Sequence, residues 1–166
     1  MSRTIEALHE EIKAAFAARS HPGDETIVLR RPGCEGSEPE VVWQLFHGKS
    51  WREITLDEMK ARVASEDIFF LTLDGFVDYL PAFLIFALDL DDLYGLDGPV
   101  VSKLWTWAEE IAARLAPSEK RAVVHFLDYV AGELERRRPG ARNDARAALD
   151  HYWAYFTDAE LGLTEP

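Results

Sequence analysis

The chain has 166 residues, of which 48% are apolar and 29% charged, with a formal net charge of −12. That length suits one globular domain able to bury a core without staples, and that composition excludes a disordered chain. The negative balance opposes binding to nucleic acid or to an anionic membrane surface, because phosphates would be repelled.

The elements follow in chain order. Ile5, Leu8, Ile12, Ala15 and Phe16 recur at helical spacing, with Ser2 or Thr4 as cap and Ser20-His21-Pro22-Gly23 as stop. Thr26-Ile27-Val28-Leu29 is the one β-branched run and leaves room for a single short strand. Arg31 to Ser37 reads as a loop, with two glycines and a proline. Pro39 can open a helix whose apolar face is Val42, Leu45 and Phe46, closed by Gly48. Thr55-Leu56-Asp57-Glu58 has the spacing of a capping box, in which hydroxyl and carboxylate each satisfy an amide of the other residue.

The most apolar stretch begins at Ile68, with Thr72 as a cap and Pro81 within the run that ends at Leu88. Proline lacks an amide and crowds the preceding turn, so a kink or a fresh helix start is expected at Pro81. The acidic loop Asp89 to Gly98 precedes a segment from Pro99 that would bury Val101, Leu104, Trp105, Ile111 and Leu115. Trp105 and Trp107 cannot both face inward on one helix, so either the helix breaks or one ring is a surface anchor. Pro117 opens a helix with Val123, Phe126, Leu127, Val130 and Leu134 on one stripe, stopped at Pro139-Gly140. A last helix carries Ala145, Leu149, Tyr152, Trp153 and Phe156. The expected fold is mostly α, an irregular bundle of six to seven short helices in a single domain over residues 1–166.

The single cysteine, Cys34, leaves no intrachain disulfide, and the N-terminus turns polar at once without a secretory apolar core. Ile68 to Leu90 approaches membrane length but contains Asp74, Asp78, Pro81 and Asp89, which are costly in lipid. The expected address is the cytoplasm.

The chemistry-bearing residues do not form a familiar pattern. His9, His21, His47, His125 and His151 are scattered, without the spacing of a metal site. An EF-hand count from Asp89 puts Leu93 at position 5, Tyr94 where glycine is required and Val100 where glutamate is required. No nucleophile elbow or phosphate-binding glycine loop is present, so no catalytic residue, metal or cofactor is assigned.

Charge is the strongest remaining signal. Between Glu66 and Ser102 there are eight acids and no lysine or arginine, whereas Arg136, Arg137, Arg138, Arg142 and Arg146 crowd the turn between the last two helices. Asp89, Asp91, Asp92 and Asp97 are therefore the candidate partner-binding residues, forming a negative patch that would steer a basic protein. The competing account is that acidic turns keep an apolar hairpin soluble. The arginine cluster could contact an anion or an acidic protein, or complement a helix C-terminus.

Phe46-His47-Gly48-Lys49-Ser50-Trp51-Arg52-Glu53-Ile54, then Phe70-Leu71-Thr72, then Phe76 to Leu84 with its Tyr79-Leu80-Pro81-Ala82-Phe83-Leu84 core, carry a resemblance, joined by Val123 to Tyr129. Together they resemble a family of small uncharacterised bacterial proteins known as a domain of unknown function. The likeness spans residues 5–135, leaves out the helix after Pro139, and departs at Asp78-Tyr79, where a doubled aromatic is expected. It implies stand-alone accessory or neutralising proteins and brings no catalytic residue. The leading expectation is a non-enzymatic acidic protein-binding domain, with immunity against a basic toxin as its most concrete form. The alternative is an enzyme or small-ligand binder whose site is assembled from Cys34, His47, Trp51, Asp78 and Tyr79.

Overall fold

The computed structural model describes residues 4–21, 23–28 and 36–163. Ser2, Pro22, Leu29 and Cys34 lie outside them, as does the Arg31–Ser37 loop from Arg31 to Glu35. The fold is mostly α: seven α-helices of seven or more residues and one shorter turn of helix occur among the described residues. In chain order these are α1 (Ile5–Ala15), α2 (Glu38–Phe46), α3 (Leu56–Arg62), α4 (Leu73–Phe86), α5 (Asp97–Thr106), α6 (Ala108–Ala112), α7 (Pro117–Arg137) and α8 (Asp144–His151). The chain divides into two compact units, Met1–Ala17 with Val100–Pro166, and Ala18–Pro99.

In the unit Ala18–Pro99, α2, α3 and α4 are joined by 3₁₀ turns. Thr55 and Glu58 form the anticipated capping box, with Glu58 N–H donating to Thr55 Oγ1 at 3.2 Å. Thr72 caps α4 by accepting from the Gly75 amide at 2.9 Å. The β-branched segment does not make a strand among the described residues. Asp24–Thr26 is a 3₁₀ turn, and Val28 forms one isolated antiparallel bridge with Leu71. The chain therefore crosses the start of α4 at close range: Thr72 N–H donates to Ile27 O at 2.9 Å, and the Thr72 hydroxyl donates to Thr26 O. Gly75 is what permits this approach, because a Cβ there would lie 2.5 Å from Ile27 O.

Pro81 does not divide α4, which runs on to Phe86. One lost hydrogen bond is outweighed because Phe76, Val77, Tyr79, Leu80, Phe83 and Leu84 are all buried. Phe46 and Phe83 meet edge to face at 5.8 Å, and Phe46 and Tyr79 lie tilted at 4.6 Å, which seats α2 on α4.

In the other unit α7 is the spine. Leu8, Ile12 and Phe16 of the first segment are fully buried, and Glu11 of α1 meets His125 Nδ1 of α7 at 2.6 Å. Asn143 caps α8 by accepting from the Arg146 amide at 3.0 Å, and its own amide donates back to Ala131 O of α7 at 2.8 Å. One side chain thus starts α8 and fastens it. Trp153 is fully buried in a 3₁₀ turn after α8, and its indole N–H donates to Leu104 O of α5 at 2.8 Å. The Trp105–Trp107 conflict is resolved both ways at once: α5 ends at Thr106, and Trp107 stands 45% exposed before α6.

Candidate functional site: an acidic turn braced on α3

After α4 the chain turns through Asp89 to Leu96. Asp89 Oδ1 accepts from the Asp91 amide at 3.1 Å, and Asp92 Oδ1 accepts from the Tyr94 amide at 3.0 Å. Two aspartates thereby act as local turn formers, which is the ordinary work of short carboxylates in tight loops. Gly95 takes the left-handed φ of +66° that the turn needs.

Three side chains fasten the turn to its unit. Leu96 is buried. The Asp92 carboxylate pairs with Lys60 of α3 at 2.5 Å, and this lysine is the main reason its carboxyl is held below the usual range. Tyr94 donates from its hydroxyl to Val63 O at 3.1 Å, just past α3. Its phenol is pushed up to about 12, first by burial and then by the charges of Asp67, Glu66 and Asp92. The charges of these three carboxylates are thus felt at one ring.

Asp89 and Asp91 are exposed. Asp92 is turned inward and occupied by Lys60, so it braces the patch instead of presenting it. Asp97 is the first residue of α5, half-buried, where a negative side chain favours a helix N-terminus. Between Asp92 and Tyr94, Leu93 is 103% exposed, and Phe69 (47%) and Phe70 (36%) of the same unit are also at the surface. Sequence reasoning missed Leu93 as a member of this surface. Leu93 shares its residue type and acidic surroundings with Leu90 and Leu96, so no local pattern marks it as the one that points out.

The arginine turn is built differently. Arg136 and Arg137 share Glu133 at 2.6 and 3.5 Å, Arg142 meets Asp144 at 2.5 Å, and Arg146 meets Glu135 at 2.9 Å and Asp128 at 3.8 Å. Four of the five arginines are thus matched by acids of α7 and α8, and Arg138 is exposed.

Of the dispersed residues of the alternative, His47, Trp51, Asp78 and Tyr79 all belong to the unit Ala18–Pro99, and Cys34 lies outside the described residues. The Tyr79 hydroxyl is directed at the carbonyls of Phe46 and Lys49 at 2.9 and 2.8 Å, and burial raises its phenol far above the usual range. Asp78 pairs with Arg19 at 2.9 Å, and His47 stacks on Trp43 with centroids 4.3 Å apart. The Trp51 indole nitrogen is buried without a hydrogen-bond partner among the described residues, under an Arg52 guanidinium 4.5 Å from the ring. It is closed off from solvent and opens no path to a ligand. Among the described residues no three His, Cys, Asp or Glu side chains are grouped to hold a metal ion, and no helix is long and apolar enough to cross a membrane.

By its fold the molecule is a mostly α-helical protein whose most distinctive surface is an acidic turn with an apolar tip. The chain belongs to the family of unknown function DUF6714, whose model matches residues 6–157. That match corrects the expected extent of the resemblance: it runs past Pro139 and includes α8, which Asn143 and Trp153 tie to α7 and α5. No curated protein and no solved structure matches the chain.

Proposed function

We propose that this chain is a non-enzymatic binding protein of the cytoplasm that receives a basic protein partner on the Asp89–Leu93 face of its acidic turn. Bacterial immunity, the neutralisation of a basic toxin by direct contact, is the most concrete form of this reading. The observation that carries it is Leu93: a leucine side chain held wholly in solvent, between carboxylates, on a turn braced by Lys60, Tyr94 and Leu96. A scattered exposed leucine needs no explanation. One on a braced loop is already fixed where a partner pocket could take it, so little ordering entropy remains to be lost on binding. Carboxylates around an apolar anchor steer a basic partner and set its register, while the buried anchor supplies the affinity.

Enzymatic action at the His47–Tyr79 region draws less support, because the Tyr79 hydroxyl and the Asp78 carboxylate are engaged with the backbone and with Arg19.

The test is a capture experiment from the source lysate at low and high salt, with the wild-type chain beside Asp89→Lys/Asp91→Lys and Leu93→Asp. A basic protein that is retained at low salt, weakened by salt and lost from both variants supports the reading. Identical capture by all three chains overturns it.

A further inference from the structure

The last described turn of the chain lies against the start of α7 and has no buried anchor of its own. Residues 157–163 bond among themselves. Thr157 N–H donates to Glu160 Oε2 at 2.8 Å, and Glu160 N–H donates back to Thr157 Oγ1 at 3.3 Å. The amides of Leu161 and Leu163 donate to Thr157 O and Asp158 O at 3.1 and 2.7 Å. Leu161 is half-buried, and every other residue of the turn is exposed. The turn therefore keeps its shape by itself and loses little apolar burial on leaving α7. The chain is anchored just upstream, where Trp153 is fully buried.

What holds the turn to α7 is polar. Arg121 Nη1 donates to Leu161 O at 3.2 Å and to Gly162 O at 3.5 Å, while its Nε lies 3.7 Å from the Glu11 carboxylate of α1. Glu11 has a closer partner in His125, at 2.6 Å. Both bonds to the turn come from one nitrogen and one of them is long, so the hold is weak. Lys120, the neighbour of Arg121 on α7, has its Nζ 5.0 Å from the centroid of Phe156, where the turn begins. Gly162 sits close to the start of the helix: at its φ of +67° a Cβ would lie 3.3 Å from Pro117 Cβ. Two backbone carbonyls thus occupy an edge of a guanidinium that a carboxylate fills better. Charge on both partners strengthens the hydrogen bond, and the two oxygens match the fork of N–H groups.

We propose that Arg121 and Lys120 form a docking site for a carboxylate-bearing segment of a partner protein, and that the turn 157–163 is a strap occupying the site until it is displaced. The ligand is opposite in charge to the one that the acidic turn would receive, and the two sites belong to different units. The net charge of −12 disfavours an acidic segment at a distance, but screening confines that repulsion to about 8–10 Å. Affinity in the strapped chain is reduced by the fraction of time the strap is off, so loosening the strap alone should strengthen binding without any new contact.

The test uses the full chain, ¹⁵N-labelled, with two N-acetylated hexapeptides, a Gly-Glu repeat and the matching Gly-Gln repeat. Gly162→Val loosens the strap without touching Arg121, because a β-branched side chain is strained at that φ and meets Pro117. Backbone relaxation should then show residues 158–163 mobile, while an unmoved Trp153 indole resonance reports that the unit is folded. The Gly-Glu peptide should shift the Lys120 and Arg121 resonances and bind Gly162→Val at least about tenfold more tightly than the wild type. Adding Arg121→Gln to Gly162→Val should abolish that gain. Equal affinity for the wild type and Gly162→Val, equal binding of the two peptides, or a gain that survives Arg121→Gln would overturn the proposal. So would a Gly162→Val dimer in sedimentation, since straps exchanged between two copies would then be the occupant.

Discussion

The acidic turn at 89–97 and the arginine turn at 136–146 look like mirror images in the sequence, and the structure treats them differently. In the arginine turn each ion pair named above joins residues of α7, α8 or the link between them, so four of its five arginines are answered where they stand. In the acidic turn Asp92 is drawn inward by Lys60 of α3, and Asp89 and Asp91 are exposed beside an exposed leucine. The charge of a segment therefore says little about the field it presents. What matters is whether the opposite charges are close enough in the fold to answer it, since screened surface charges act over only about 8–10 Å.

This contrast can be broken or sharpened at several points. The largest effect is expected at Gly75, because the acidic turn depends on α4 being seated against Ile27. Gly75→Ala places a methyl 2.5 Å from a backbone carbonyl that cannot swing away. A loss of about 2–3 kcal/mol in chemical denaturation is expected; a change below about 0.5 kcal/mol would show the chain crossing to be soft. Next comes Tyr94→Ala, which removes a half-buried ring and its bond to Val63 O. About 2 kcal/mol should be lost, and amides 89–95 should exchange faster with solvent. Unchanged protection there would mean that Lys60 and Leu96 suffice to brace the turn.

Gly95→Ala should cost about 1 kcal/mol, because alanine pays for the φ of +66° that the turn requires. At the arginine turn, Arg146→Gln should change stability by no more than about 0.5 kcal/mol, since its side chain and both its partners are 37–64% exposed. A larger loss there would mean that the two turns are braced alike.

Protonation probes the same difference. The Asp92 carboxyl is held low in the folded chain, so its contribution is present above the unfolded-state value near ~4 and is lost as pH falls through the folded value. Acid titration should therefore loosen the Asp89–Leu96 segment, and Lys60→Met should remove most of that pH dependence. Lys103 works in the opposite sense. It is 6% exposed and burial lowers its ammonium to about 8. Between about 8 and ~10.4 the unfolded chain holds more protons than the folded one, so stability should rise with pH across that window. Lys103→Met should flatten the rise.

Much of the helical framework was legible because local patterns and burial agree. Thr4, Thr55 and Thr72 cap helices in the positions their spacing suggests, and the stripe Val123–Phe126–Leu127–Val130 is buried on α7. One element departed, and at another one of two expected outcomes was excluded, the fresh helix start at Pro81. The β-branched run at 26–28 has no second strand beside it, and its backbone instead meets Leu71 and Thr72 at the head of α4. Pro81 stays inside a helix because the packed faces of α4 hold its two halves together.

By itself the sequence determined several helix caps, the apolar faces and the total charge, since each depends on residues a few positions apart, although α8 stops at His151 and not beyond Trp153 as expected. The helical period also forbids Trp105 and Trp107 from both facing inward, and the expectation that Trp105 is buried is not met, since it is half-buried while Trp107 is exposed. Only the tertiary structure decided which charges are answered. Asp92 meets Lys60 across 32 positions and Arg19 meets Asp78 across 59, so no local rule could mark Asp92 as a brace and Leu93, beside it, as the exposed tip. Contacts of that kind arise when distant segments are packed together, and they decide which side chains remain for a partner to touch.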